Sequence, residues 1–414
     1  MDFSMLFRPK SLPILPWAWM ALLYFVLGPG AFAQVPNPGT LRYGPSTGLT
    51  LEYGDSAYRF DVGGFVQPGL GWSKNAGVAQ SFWNARRSFL MLSGKSIQDR
   101  LGFSIQVDFS QPSPLMDALV YWEPRNRWRV SVGQKQTFAN NLEMNLREDG
   151  LAMTERSLLS TLFSKTGREF GLFVQTRTGS ARPWNWSAAL TSGDGRNSFG
   201  VDSRDNDMGG VKLGGRAEWL VLGDFGDGAV MTLADRYGEK TPKIMLAIHG
   251  SSNRGASDPV GEGHAVFRLY NNLGQLELPN YQRWGLDVLT RFRGWALLTE
   301  YLQSTVQVPS TIYADQGAQL ALQPGQVANY VALGSAWNTH LSYYHRGWSL
   351  DGRWTYVDQE FDIPGSLLLK QQETAVGVSR YWRNGSMRLQ AFYGRRTSGS
   401  NLAHQLEVLA QVKF

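Results

Sequence analysis

The chain has 414 residues, 40 Lys and Arg against 34 Asp and Glu for a net charge of +6, and no cysteine. Lacking cysteine, it can hold no disulfide, thiolate metal site or cysteine nucleophile, while its length is ample for a large core or a large barrel. Mean hydropathy is −0.27 although 13% of residues are aromatic, a pairing that transmembrane barrels produce because each strand hides only alternate residues in lipid.

Residues 1–33 begin with Arg8 and Lys10, continue in an apolar run from Trp17 to Leu27 and end in Ala31-Phe32-Ala33. This is the plan of a secretory signal peptide with a small-x-small cleavage site. The apolar run is too short for a spanning helix, and an uncleaved anchor is the rival reading. No later stretch approaches the length a spanning helix needs, so a membrane role falls to strands. Without residues 1–33 the chain has 38 basic against 33 acidic residues, a net charge of +5, and 30 of the 40 basic residues in the full chain are Arg. Arginine's planar fork suits oxyanions. RNA-binding proteins share this bias, but an export signal argues against a nucleic-acid partner.

Residues 34–57 read as an N-terminal leader or periplasmic segment, rich in Pro and Gly as far as Gly48, with Leu49 to Tyr53 as a short strand or hook. From Tyr58 the chain alternates apolar and polar residues between turns, the period of strands with one apolar face. Segments fall at 58–72, 84–96, 100–110, 115–122, 127–134, 168–176, 184–192, 208–221, 243–250, 281–292, 294–303, 327–337, 340–346, 347–357, 371–382, 386–395 and 404–414. Leu101, Phe103, Ile105, Val107 and Phe109 against Gly102, Ser104, Gln106 and Asp108 show the pattern most clearly. If 327–346 is one strand, the count is 16, with 18 as the fallback; bacterial single-chain barrels have an even number. The last stretch puts Leu406, Val408, Ala410, Val412 and Phe414 on one face and Gln405, Glu407, Gln411 and Lys413 on the other, with Leu409 the intruder. An open edge at a chain end invites aggregation, and closure removes it. The expected fold is therefore all-β, one closed antiparallel transmembrane β-barrel over residues 58–414. Trp128, Trp184, Trp219, Trp284, Trp295, Trp348 and Tyr393 fall on the apolar faces, as an interfacial girdle would. A soluble β-sandwich or propeller with these aromatics in its core is the rival.

The longest stretch without clean alternation in the first half is Lys135 to Lys165, where Leu142, Met144, Leu146, Leu151, Met153, Leu158, Leu159, Leu162 and Phe163 suggest helical turns. A long ordered loop in a barrel tends to fold inward and narrow the lumen. Around this loop stand Arg86-Arg87-Ser88-Phe89-Leu90 with Gly94, Gly102-Phe103 through Asp108-Phe109-Ser110, and Asp117-Ala118 with Tyr121. Val132-Gly133-Gln134-Lys135-Gln136 with Phe138, and Glu155-Arg156-Ser157, complete the set. In these residues the chain resembles the phosphate-selective porin O/P family, most strongly over 84–176. The resemblance implies a sixteen-stranded outer-membrane barrel, a homotrimer surrounded by bacterial outer-membrane lipid, passing small anions by diffusion without a cofactor. It also implies loop cations that replace water around phosphate, and it carries over onto Lys135, Arg147, Arg156 and Lys165.

Strand parity separately turns Arg127, Arg129, Lys212, Arg216, Arg283, Arg291, Arg353 and Arg388 to the lumen, where rings of cations select anions. The same parity turns Asp108, Glu218, Asp287, Glu300, Asp351 and Glu373 inward, and the loop carries Glu143, Glu148, Asp149 and Glu155. Cations paired with these acids would hold the loop without attracting anions. Arg156, beside Glu155, reads as an anchor; Lys135, at a strand-to-loop junction with fewer obvious partners, reads as the better pore residue. Arg86 and Arg87, being adjacent, are expected not to face the lumen together.

Other constellations carry less. The five histidines show no metal spacing. His340 with Ser342 lacks a G-x-S-x-G frame, which argues against an outer-membrane esterase. Gly193-Asp194-Gly195 with Asp202, Asp205 and Asp207 lacks EF-hand spacing and reads as a solvated loop. The expected function is an outer-membrane porin for small anions, phosphate or polyphosphate among them, and not an enzyme. The alternative is a plugged barrel or one that is scaffold to a partner complex.

Overall fold

The computed structural model describes residues 39–414, apart from 45–46, 55, 126, 177–182, 199–208, 226–231, 264–265 and 309. The expected signal segment, residues 1–33, lies outside the described residues. Strands β1 (Thr40–Gly44) and β2 (Gly48–Tyr53) form a hairpin. Sixteen more follow: β3 (Tyr58–Asn75), β4 (Val78–Ser96), β5 (Leu101–Asp108), β6 (Leu115–Arg125), β7 (Trp128–Gln136), β8 (Arg168–Thr176), β9 (Trp184–Thr191), β10 (Lys212–Leu220), β11 (Lys243–Asn253), β12 (Asn280–Phe292), β13 (Trp295–Gln307), β14 (Gly334–His345), β15 (Trp348–Gln359), β16 (Gln371–Trp382), β17 (Met387–Ser398) and β18 (Asn401–Lys413). Each is antiparallel to its sequence neighbour, and β18 pairs with β3 to close a sixteen-stranded barrel.

Closure follows from the alternation of the last strand. Leu406, Val412 and Phe414 face outward, while Glu407, Leu409 and Gln411 are buried. Phe414 continues the ladder by exchanging backbone hydrogen bonds with Gly64 at 2.9 and 3.0 Å. Position 64 requires glycine, because a Cβ there would lie 2.3 Å from the Phe89 carbonyl oxygen and 2.7 Å from the Phe414 ring. Along the same edge of β3, β18 pairs with residues 65–75 and β2 with residues 58–62. The hairpin thus prolongs the sheet past the end of β18.

The outer face is apolar, and all seven aromatics expected in the girdle are 39 to 52% exposed on it. Connections at one end are short: 97–100, 126–127, 177–183, 293–294, 346–347 and 383–386, with 221–242 the exception. At the other end stand the long loops 137–167, 192–211, 254–279, 308–333 and 360–370. This asymmetry is that of outer-membrane barrels.

Three local readings change. The segment 327–346 holds one strand, β14, preceded by a 3-10 turn over Pro324–Asn329 whose Val327 and Ala328 pack inward. Part of the presumed leader is β1. And the β3–β4 ladder slips between Gln67 and Pro68, whose partners are Arg87 and Ala85, leaving Arg86 as an extra, bulged residue. Pro68 has no N–H to leave unsatisfied, which suits it to a bulge.

Candidate functional site

Residues 137–167 lie inside the barrel. Helix α1 (Leu142–Asn145), a 3-10 turn at Glu148–Gly150 and helix α2 (Leu158–Leu162) order the loop, and Ser157 caps α2 by accepting the Ser160 N–H. Its apolar residues find inward-facing partners around the wall. Leu142, Leu146 and Leu151 pack with Met245, Leu289 and Leu298. Leu158, Leu159 and Phe163 pack with Leu302, Ala336 and Val357, and Met153 packs with Ala375 and Phe392. Burial of such side chains, at about 25 cal/mol per Å² of apolar surface, is what draws the loop inward.

Four lumenal arginines of β10 to β17, Arg216, Arg283, Arg353 and Arg388, tie this loop down, and two further lumenal cations hold other segments. Arg353 reaches Glu143 at 3.3 Å, Glu373 at 2.8 Å and the Glu155 carbonyl at 2.8 Å. Arg388 donates to the Leu151 carbonyl at 2.7 Å and to Gln411 at 2.9 Å. Arg283 donates to the Phe163 carbonyl, Arg291 to the Thr232 carbonyl, and Lys212 pairs with Glu169. Arg216 pairs with Asp287 at 2.6 Å and Glu218 at 2.7 Å. All six residues are at most 7% exposed. Expected pairing of acids with arginines therefore holds for Asp287, Glu218 and Glu373. Asp108 instead accepts the Ser88 N–H and the Ser110 hydroxyl, Glu300 accepts from Asn141, Asn338 and the Glu143 N–H, and Asp351 faces His340 at 3.0 Å. Burial alone would raise the Glu143 carboxyl; Arg353 and the hydroxyls of Ser157 and Ser160 hold it below its ordinary value.

The opposite wall differs. Lys95 and Arg129 share the buried Glu123 at 2.7 and 2.6 Å while each keeps 32% of its side chain exposed, and Arg129 lies over the Tyr121 ring. Arg147, 33% exposed, meets Asp149, which Lys413 also approaches at 2.6 Å. The bulge turns both members of the arginine pair to the loop, contrary to the parity argument: Arg86 pairs with Glu155, and Arg87 donates to the Thr154 carbonyl at 3.3 Å and Gln67 at 3.0 Å. Lys135, half-buried, donates to Gln175 at 2.9 Å and lies 4.6 Å over the Phe138 ring. These partners are neutral. Arg156 is an anchor, bonded to the carbonyls of Glu143 and Leu146 and 3.2 Å from Glu148. Arg127 bonds the Trp184 carbonyl, and Lys165 meets Asp258 with half its side chain exposed.

The connection 221–242 supplies inward residues that alternation did not announce. Phe225 and Leu233 join the cluster of Leu142, Leu146 and Leu151. Asp235 accepts the N–H groups of Glu239 and Gly294, and Arg236 lies 4.7 Å over the Tyr381 ring. Its signal was length at an end of short turns. At His340, Ser349 donates to Asp351 at 2.8 Å and lies 3.3 Å from Ser342. The serines engage the carboxylate and each other, not the imidazole, so the nucleophile–base contact of a serine hydrolase is not formed. Asp202, Asp205 and Asp207 lie outside the described residues, among which no His, Asp and Glu cluster could hold a metal ion.

No protein-family model and no curated protein sequence matches the chain. Solved structures do. An anion-selective porin from Comamonas acidovorans aligns over 86% of this chain and 100% of its own at TM-score 0.57 and 11% identity. The outer-membrane channel DcaP of Acinetobacter baumannii aligns over 87% of this chain and 99% of its own at 0.52 and 12%. OmpT, an outer-membrane protein of Vibrio cholerae, in its trimer form aligns over 86% and 100% at 0.51 and 10%. The shared feature is the fold, a closed barrel of the outer-membrane porin type.

Proposed function

We propose that this chain, after loss of residues 1–33, is a bacterial outer-membrane channel through which small anions, phosphate-like oxyanions among them, diffuse passively, and that it works as a homotrimer without cofactor or covalent chemistry. The apolar outer face and aromatic girdle support placement in a bilayer. The single observation that carries anion passage is the division of the lumen. On the β10–β17 wall the cations are buried and occupied, Arg216, Arg283, Arg353 and Arg388 with the loop and Lys212 and Arg291 with Glu169 and the Thr232 carbonyl, whereas Lys95, Arg129, Arg86 and Arg147 remain about a third exposed on and opposite β4–β7. There the charge is unbalanced, since Glu123 serves two cations and Asp149 serves two. A low-dielectric wall focuses that excess on a passing ion. Lys135, on β7, belongs to this side, as does Arg147, which reaches Met91 of β4 at 3.4 Å.

A plugged barrel serving as a partner's scaffold is the second reading, and the packing of Phe225 and Leu233 against the loop favours it. Single-channel recording of the purified protein in a planar bilayer separates the two. Discrete, stable current steps support the channel. No current from folded, heat-modifiable protein supports the plug.

A further inference from the structure

Glu148 occupies an unusual position. Its carboxylate is in the inward loop, with Oε1 3.2 Å from Arg156 and 3.5 Å from Arg168. Arg87 stands close enough to act on its charge, and Arg196 is close enough to feel it. Arg168 has a second acid, Asp117 at 2.8 Å, but among the described residues Arg87 bonds only neutral oxygens and Arg196 only the Met116 sulfur. Glu148 is 93% buried, given its 7% exposure, yet its second oxygen, Oε2, meets no donor. One carboxylate thus lies among several guanidiniums and satisfies them incompletely. Planar forks of this kind bind tetrahedral oxyanions through two N–H groups at a time.

We infer that Glu148 is a tethered anion filling an inorganic-phosphate site formed by Arg87, Arg156 and Arg168, so that oxyanions pass the loop without being held there. The inference rests on the anion-channel reading and refines its substrate class. A carboxylate offers two oxygens in one plane; phosphate offers more acceptors and up to twice the charge, so it would make better use of the same donors. The tethered group, however, is present at a high effective concentration and excludes it. The charges of partly exposed Arg86, Arg147 and Arg196 act on this nest.

The test is calorimetric titration of the detergent-solubilised full chain with inorganic phosphate, which needs no ion current and so separates failure of this inference from failure of the channel reading. E148Q keeps the shape and removes the competing charge. Its phosphate Kd should fall at least about tenfold below that of the wild type, the effect of one charge-assisted hydrogen bond at the low end of its range. E148Q/R87Q, in which the amide introduced at position 87 can still bond the Thr154 carbonyl, should lose the gain. If E148Q does not fold, E148D, whose carboxylate is drawn back by one methylene, should show a smaller gain in the same direction. Equal affinity in wild type and folded variant, or a gain that R87Q leaves intact, overturns the assignment. Wild type binding phosphate as tightly as E148Q overturns it too.

Discussion

Arg353 on the barrel wall and Glu143 on the inward loop face each other at 3.3 Å with 1% and 3% of their side chains exposed. Such a pair is of more consequence when broken than when made, because removing one partner leaves the other charge buried and unpaired. Arg353→Ala should destabilise the protein by roughly 3–5 kcal/mol and loosen the loop. The midpoint of heat modification on a gel should drop, and single-channel records should become noisier. An unchanged midpoint would show that this ion pair is not what holds the loop.

Glu123 is the sole carboxylate placed against both Lys95 and Arg129 at ion-pair distance among the described residues. Glu123→Gln should free two partly exposed cations and raise the chloride-to-potassium permeability ratio. Lys95→Glu should lower it. Reversal potentials under a salt gradient read both, and identical ratios in all three proteins would move the selectivity away from this wall.

The Glu148 carboxyl lies at about 2 against an ordinary 4.5: burial raises it, but Arg168, Arg156 and Arg87 outweigh burial. Because the folded value is the lower one, the stabilisation is complete above pH 4.5 and is lost as pH falls from there through 2. A shift of that size corresponds to roughly 3 kcal/mol. The folded fraction in an acid titration should therefore decline over that window in the wild type, and E148Q should show a flatter decline. Parallel curves would contradict the arginine nest.

Gly64 holds the seam where the chain end meets β3. Gly64→Val would drive a branched side chain into the Phe89 carbonyl and the Phe414 ring, an overpacking that costs roughly 1–3 kcal/mol. The unfolding midpoint in urea should fall, with the far-ultraviolet strand signal of the folded state unchanged. A variant as stable as wild type would show that the seam relaxes.

The barrel was legible because its strands must separate lipid from lumen. Arg168–Thr176 was read to the residue, and Leu406 to Phe414 disclosed closure. Strand parity also found Arg283, Arg353 and Arg388. It could not find their partners, because these include carbonyls of Phe163, Glu155 and Leu151, and carbonyls look alike in every sequence. Arg86 and Arg87 were misread because a bulge adds a residue without altering composition. Val327 to Leu333 imitated a strand because a loop that packs inward also needs apolar residues at intervals. The excess of partly exposed cations near β4–β7 required the partners of every other arginine to be known first.

The most direct measurement of the central claim is the zero-current potential of the wild-type protein in a planar bilayer of neutral lipid under a tenfold potassium chloride gradient. Lys95, Arg129 and Arg147 predict a potential whose sign reports chloride as the more permeant ion, reduced in size by Arg129→Glu. A potential of the opposite sign, or none that responds to Arg129→Glu, would contradict passage along the cationic wall.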